Sequence, residues 1–418
     1  MTSEGEQDWR AALFARRTMG VRPGTAALER VLAELVPALR ASAGRPFTVT
    51  QIVGTNGKGS TAAMLAHGLS RRGEGPVGLY TSPHLHRVGE RIRVDGLAVA
   101  DEVVRAGVEN VADAERRAAL ELSFFEVITA IALEHFVRVG CRHLVLEAGL
   151  GGRLDATSAV PADLTLITRI GLDHQGFLGD SIAAIAGEKA AVIRPGVPAF
   201  SVVQRDDARA VLEARAREQG TSLRVVDPCE RNPVGLAGEH QRHNAALALA
   251  GLGALLPETS PTLAELDGVR WPGRLELIDS LCFDVAHNLD GIEALCAALG
   301  TVVPEPAVIV FGTVADKPGA EMAARLRAHA PLWHVPPATA GHAVREVDRE
   351  AGQGMGHQRH YRDPDDRVLR RDLEELRRAG IPVLICGSHF LVAPLRAWAL
   401  GLDPAAIDDP GLSDPLPR

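Results

Sequence analysis

The chain has 418 residues and a formal net charge of −8 at pH 7, from 45 Lys plus Arg against 53 Asp plus Glu. A hydrophobic content of 46% excludes global disorder, and five scattered cysteines (Cys141, Cys229, Cys282, Cys296, Cys386) with no Cys-x-x-Cys pair argue against a disulfide scaffold or a zinc ribbon. The acidic balance argues against general nucleic-acid binding, and the lack of an apolar run at the start or of any apolar stretch of about 18 residues predicts neither a secretory signal nor a membrane span, hence a cytoplasmic setting.

The length suggests two domains or three. The first segment reads as helical, with apolar residues at helical spacing over Ala26–Leu39 and a stop at Gly44-Arg45-Pro46. Phe47–Val53 is β-branched and reads as a strand. It runs into a glycine-rich turn, Gly54-Thr55-Asn56-Gly57-Lys58-Gly59-Ser60, and then a helix over Thr61–Arg72. Val77–Tyr80 is a second strand, Ser123–Val139 a long apolar helix, and His143–Glu147 and Asp163–Thr168 are strands of the buried type. Ile182–Ile193 reads as helix and Pro198–Val203 as strand. This alternation predicts an α/β fold: a P-loop mononucleotide-binding domain with a mostly parallel sheet covered by helices on both faces.

After Trp271-Pro272-Gly273-Arg274 a new series begins. Leu281–Val285, Ala307–Phe311, Leu332–Val335 and Val383–Cys386 read as strands, separated by helices over Gly291–Leu299 and Gly319–His329. They predict a smaller Rossmann-like C-terminal domain, so the boundary is expected at 1–273 and 274–418. Gly341–Arg362 reads as a surface loop and Asp403–Arg418 as a frayed tail.

Lysine occurs three times, at Lys58, Lys189 and Lys317, against 42 arginines. Where a generic positive charge is almost always Arg, a retained Lys points to a need for a compact ammonium or a reactive amine. Lys58 lies in the glycine-rich turn, where backbone N–H groups at a helix N-terminus cradle phosphate, Lys58 would lie along the β- and γ-phosphates, and Ser60 would offer a hydroxyl to Mg2+. The strict G-x-x-x-x-G-K-[ST] pattern is not met, because Ile52 stands at its first glycine and Gly59 separates Lys58 from Ser60. An ordinary tight turn is the plain alternative.

Other polar clusters follow predicted strands, where ligands of doubly wound sheets bind. Glu147 ends a strand and suits a hard cation; it opens a glycine-rich loop carrying Arg153 and Asp155, for which a loop ion pair is the plain alternative. Asp173-His174 follows the next strand, and Lys189 sits beside Glu188 on a helix. His84 and His86 form an H-x-H without a matching cluster, so zinc is rejected there and Ser82 is preferred as an oxygen ligand. Asp284–Asn288, Gly312–Lys317 and Cys386–His389 are further clusters at strand ends.

Taken in order, GTNGKGS (Gly54–Ser60), YTSPHL (Tyr80–Leu85), ERI (Glu90–Ile92), SFFE (Ser123–Glu126), EAGLGGRLDAT (Glu147–Thr157), GLDH (Gly171–His174), EKA (Glu188–Ala190), HQxxN (His240–Asn244), WPGR (Trp271–Arg274), DVAHN (Asp284–Asn288) and GTVADK (Gly312–Lys317) resemble the folylpolyglutamate synthase/dihydrofolate synthase branch of the Mur ligases, over about residues 10 to 395. The resemblance implies an ATP-dependent ligase in which a carboxylate takes the γ-phosphoryl group and the resulting acyl phosphate is attacked by the amine of L-glutamate. It implies Mg2+ on Ser60, Ser82, Glu147 and His174, a carbamylated Lys189, nucleotide contacts from Asn244, Arg274 and Asp284, and His287, Asp316 and Lys317 lining the closed cleft. It also implies an acceptor held by Phe125, Glu126, Arg153, Leu154, Asp155 and Ala156. A lysine can form a carbamate where an arginine cannot. The expected partners are small molecules (ATP, L-glutamate and a pterin, folate or other carboxylic acid), with a monomeric enzyme.

The sequence departs from the family at Arg17–Arg22, Ser158, Leu289 and Pro318, mostly on the acceptor side. Three rival readings follow: the same ligase chemistry on a non-folate acid, a P-loop kinase, and a catalytically inactive binding protein.

Overall fold

The computed structural model describes residues 4–20, 24–40, 44–336, 359–403 and Asp408. Among them, β1 (Thr48–Val53), β2 (Val77–Tyr80), β3 (Ile92–Val94), β4 (Leu97–Ala98), β5 (His143–Glu147), β6 (Leu164–Ile167), β7 (Ala199–Val202) and β8 (Leu223–Val226) form one sheet in the order β4-β3-β2-β5-β1-β6-β7-β8. Pairing is parallel from β2 to β8, and the edge strands β3 and β4 are antiparallel. β1, β5 and β6 are buried almost throughout, as expected of strands covered on both faces.

A second sheet comprises β9 (Glu276–Ile278), β10 (Leu281–Asp284), β11 (Val308–Phe311), β12 (Leu332–His334), β13 (Arg359–His360) and β14 (Val383–Cys386), in the order β13-β12-β11-β14-β10-β9. Only β9 pairs antiparallel. Each sheet has its own apolar clusters. Among the described residues, Leu85, from the loop after β2, crosses between them and is buried with Leu281, Phe283 and Val285 in the core of the second sheet, and Ala237 packs against that sheet's other cluster. Full burial of a Leu side chain contributes roughly 1.5–3 kcal/mol.

Local differences from the expected elements have identifiable causes. The helix expected over Ala26–Leu39 ends at Leu35, and Pro37, which cannot continue it, begins a separate 3-10 turn to Arg40. The P-loop helix starts at Lys58, three residues early, because Gly57 adopts φ 91° as its N-cap. Helix Phe124–Arg138 starts at a capping box in which Ser123 N–H donates to Glu126 Oε2 at 2.8 Å. Arg359–His360, expected as loop, pairs with β12 as an edge strand. The remainder of that loop (341–358), Val21, Arg22 and the tail beyond Asp403 apart from Asp408 lie outside the described residues.

Candidate active site

The carboxyl ends of β1, β2, β5 and β6 face those of β10, β11 and β14 across a cleft of about 760 Å³, within the range for small-molecule sites. Every residue expected to contact nucleotide, metal or substrate lines it: Gly54–Ser60, Ser82, Phe125, Glu126, Glu147, Arg153–Ala156, His174 and Lys189 from the large lobe, then Asn244, Arg274, Asp284, His287, Asp316 and Lys317.

The P-loop is fixed from below. Thr55 and Asn56 N–H both donate to the Arg169 carbonyl, at 2.8 and 3.2 Å, and Thr55 Oγ1 exchanges bonds with the backbone of Gly171. Their amides are therefore occupied. The N–H groups of Lys58, Gly59 and Ser60, in the first helical turn and without a side-chain cap, are left for an anion. A Cβ at Gly57 would stand 2.3 Å from Asn244 Oδ1, so the loop and Asn244 are in close contact. Asn244 donates to Gln241 Oε1 at 2.9 Å, and Gln241 Nε2 reaches Ser60 Oγ at 3.4 Å. Lys58 Nζ donates to the Thr55 carbonyl at 3.1 Å.

Lys189 is 3% exposed and donates to the Gly54 carbonyl at 2.8 Å. Burial, followed by the charge of Lys58, brings its pKa down to about 7. A substantial fraction of the amine is therefore unprotonated at neutral pH.

The implied Mg2+ can be tested against its donors. Glu147 is buried, accepts Ser82 N–H at 3.0 Å and makes no ion pair among the described residues. Burial raises its pKa against the pull of Lys58. A Cβ at Gly59 would lie 3.4 Å from Glu147 Oε2, so this carboxylate abuts the P-loop next to Ser60. His174 adopts φ 50°, and its Nδ1 is buried without a hydrogen-bond partner. Burial, against the pull of Asp173, lowers its pKa to about 3, leaving a neutral imidazole. A buried carboxylate lacking a cation and an orphaned imidazole nitrogen fit a divalent ion. No group of three His, Cys, Asp or Glu side chains converges among the described residues, so the donor set suits a hard cation completed by phosphate oxygens and water.

From the small lobe, Lys317 Nζ is ion-paired with Asp173 Oδ1, and Asp316 lies 3.8 Å from the same ammonium. His287 Nδ1 faces the Val285 carbonyl at 2.9 Å, and its Nε2 lies 3.4 Å from Asp173 Oδ2. Burial works against ionisation of Asp173, but the His287 hydrogen bond and the charges around it hold its pKa well below the carboxylate range. Asp284 spends both oxygens on backbone, accepting Leu275 N–H at 2.9 Å and Ala286 N–H at 2.8 Å. It shapes the loop beside half-buried Arg274. Asn288 exchanges two bonds with Asn56 and donates a third to Asp173. Asp173 and Asn288 were not singled out as site residues. Both lie inside quoted motifs, but nothing local in the sequence reveals partners more than 100 positions away.

On the acceptor side, Phe125 packs against Gly149 and stands 6.0 Å from Tyr80, ring to ring. Glu126 spends Oε2 on the N–H and hydroxyl of Ser123. Asp155 is buried and accepts from Gly149 N–H, Leu150 N–H, Thr157 N–H and Thr157 Oγ1, at 2.9, 2.9, 3.0 and 2.6 Å. It organises the loop from within. Exposed Arg153 pairs with Glu188 at 2.8 Å, rather than with Glu147 or Asp155. Ser158 accepts from Gln51 and donates to the Gly152 carbonyl, both at 2.6 Å, so this departure from the family is spent on packing. His84 and His86 engage Arg91 and Arg396 respectively.

A P-loop lobe facing a second, mostly parallel-sheet lobe, with carboxylates, imidazoles and three lysines lining the cleft, defines an ATP-dependent ligase of the Mur type. Comparison with known proteins agrees. Residues 52–228 match the Mur ligase middle domain and residues 273–389 the Mur ligase glutamate ligase domain. The dihydrofolate synthase/folylpolyglutamate synthase of Bacillus subtilis is 30% identical over 93% of this chain and 98% of its own length. Folylpolyglutamate synthase of Mycobacterium tuberculosis, solved with ADP and AMPPCP, superposes with a TM-score of 0.82 at 26% identity over 96% of this chain and all of its own. E. coli FolC, solved with DHPP and ADP, gives 0.81 at 27% identity over 95% of this chain and 98% of its own. The chain belongs to the folylpolyglutamate synthase/dihydrofolate synthase family and is an ATP-dependent acid–amino-acid ligase.

Proposed function

We propose that this chain joins L-glutamate to the carboxylate of dihydropteroate or of a folate, acting as a cytoplasmic monomer. The observation that carries this reading is the cleft in which a P-loop on one lobe faces Lys317 and His287 on the other. No helix among the described residues is long and apolar enough to cross a membrane.

In this reading Lys58 and the first-turn amides of its helix hold the phosphates. The acceptor lies along Phe125, Glu126 and the loop Arg153–Ala156, its carboxylate towards the P-loop. A carboxylate oxygen bonds to the γ-phosphorus as the bond to the bridging oxygen breaks, releasing ADP. The glutamate nitrogen then attacks the acyl carbon, loses a proton and expels phosphate. Such transfer needs chiefly positioning and charge neutralisation. Ser60, Ser82, Glu147 and His174 would hold Mg2+, which neutralises phosphate charge when bound. Lys189 is read as the carbamylated lysine, which its unprotonated amine supports. Asn244, Arg274 and Asp284 are assigned to the nucleotide side and Asp316 to the incoming amino acid. We divide the lobes between Gly273 and Arg274, beside the bond from Val285 N–H to the Gly273 carbonyl at 3.0 Å.

The experiment is a phosphate-release screen with ATP, Mg2+ and L-glutamate against dihydropteroate, tetrahydrofolate and unrelated carboxylic acids. Release with a pterin acceptor that requires glutamate is expected. Release only with an unrelated acid would move the acceptor outside the folates. ADP formed together with a stable phosphorylated product, without need of an amine, would make the protein a kinase.

A further inference from the structure

We propose that Asp173 is a positioning residue for the ligation step: its carboxylate, carried by the large lobe, seats Lys317 and His287 of the small lobe in the cleft and holds the lobes closed. This rests on the ligase reading but not on the identity of the acceptor.

Three small-lobe side chains converge on this one carboxylate. Lys317 Nζ pairs with Oδ1, while Asn288 Nδ2 at 3.0 Å and His287 Nε2 at 3.4 Å take Oδ2. The large lobe contributes the adjoining His174, through its backbone N–H at 2.9 Å and its ring at 3.9 Å. The Asp173 side chain is 6% exposed and that of Lys317 7%. An ion pair this deeply buried is costly to leave half-made, because a lone charge would remain in the cleft. Separating the lobes hydrates both partners instead. The contact is therefore stable when fully closed or fully open, and unstable between.

Asn288 extends the arrangement to the nucleotide. Its amide exchanges two bonds with Asn56 of the P-loop, at 3.1 and 3.0 Å, while its Oδ1 also accepts Gly291 N–H at 2.8 Å and so caps the helix Leu289–Cys296. Asn56 of the P-loop and Asp173 are thus tied to the same small-lobe loop. Leu85 supplies an apolar contact between the lobes, buried in the small-lobe core beside the 2.8 Å contact of His86 with Arg396, whereas the bonds at Asp173 lie across the cleft itself and have narrow geometry.

The test combines small-angle scattering in a non-hydrolysable ATP analogue with steady-state kinetics. Asp173→Asn should leave nucleotide affinity within about threefold, shift the nucleotide-bound scattering towards a larger radius of gyration, and lower kcat by roughly 100-fold, as a small misplacement of reacting groups does. Lys317→Met should open the lobes equally, and the double variant no further than either single one. Wild-type scattering and kcat in Asp173→Asn, or additive opening in the double variant, would overturn the proposal. If Asp173→Asn does not fold, Lys317→Met alone decides: closure like that of wild type contradicts the latch. The scattering needs no acceptor, so its failure is distinct from failure of the phosphate-release screen.

Discussion

Lys189 and Gly54, 135 positions apart, meet at 2.8 Å through the lysine amine and the carbonyl that opens the P-loop. This amine, brought from its ordinary 10.5 to about 7, is mostly unprotonated above neutrality. Only an unprotonated amine adds CO2. In 13C-bicarbonate the wild-type protein is expected to give a carbamate NMR signal at pH 8 that fades by pH 6 and is absent in Lys189→Ala. That variant should lose about 100-fold or more in kcat, with part restored by short carboxylates. Full activity without restoration would remove Lys189 from the site.

Glu147 makes a prediction about stability. Its folded pKa lies above the ordinary 4.5, with burial as the main cause. Above pH 4.5 the folded chain therefore binds more protons than the unfolded one, and this group's contribution falls as pH rises through that window. In magnesium-free buffer at pH 8, Glu147→Gln should melt higher than wild type, with the difference closing towards pH 4.5. With Mg2+ and ATP the order should invert. A lower melting temperature for Glu147→Gln in all of these buffers would contradict this role.

Gly57→Ala should separate the P-loop from the rest of the fold. The new Cβ meets Asn244 Oδ1 at 2.3 Å and forces a side chain into φ 91°. The strain is worth about 1–3 kcal/mol, and relieving it moves Asn244, Gln241 and the start of the helix. Calorimetric ATP affinity is expected to fall at least tenfold with the far-ultraviolet spectrum unchanged. Unaltered affinity would mean that the nucleotide does not use this turn.

Arg153 and Asp155, two positions apart, should behave oppositely. Asp155→Ala leaves three backbone N–H groups and a hydroxyl without their acceptor, a cost on the order of 3 kcal/mol. Its melting temperature should drop steeply. Arg153→Ala breaks only an exposed ion pair and should leave melting unchanged while raising KM for the acceptor. An unchanged KM would take Arg153 out of the substrate site.

The sequence made the chemistry at strand ends legible because hydrophobic runs and glycine-rich turns mark where strands stop. β1, β5, β6, β10, β11 and β14 were each expected within a residue or two of where they lie. The short strands β3, β4, β9 and β13 were not, since two or three residues carry no usable periodicity, and neither was the edge strand β8, whose largely exposed residues show no apolar alternation. Residue type does not reveal local bonding either: Asp155, Asp284 and Glu126 line the cleft and also accept backbone N–H groups of their own loops and cap. Asp173 was legible as a polar residue after a strand, but its tie to Lys317 depends on how two lobes meet, which no local pattern encodes.

In the proposed reaction an acid is activated by phosphoryl transfer before an amine captures it. Acceptor labelled with 18O in its reacting carboxylate tests this directly, by mass spectrometry of the phosphate released during turnover with ATP and L-glutamate. One labelled oxygen per phosphate is expected, because the oxygen that attacked phosphorus leaves with it. Unlabelled phosphate accompanying amide formation would contradict it.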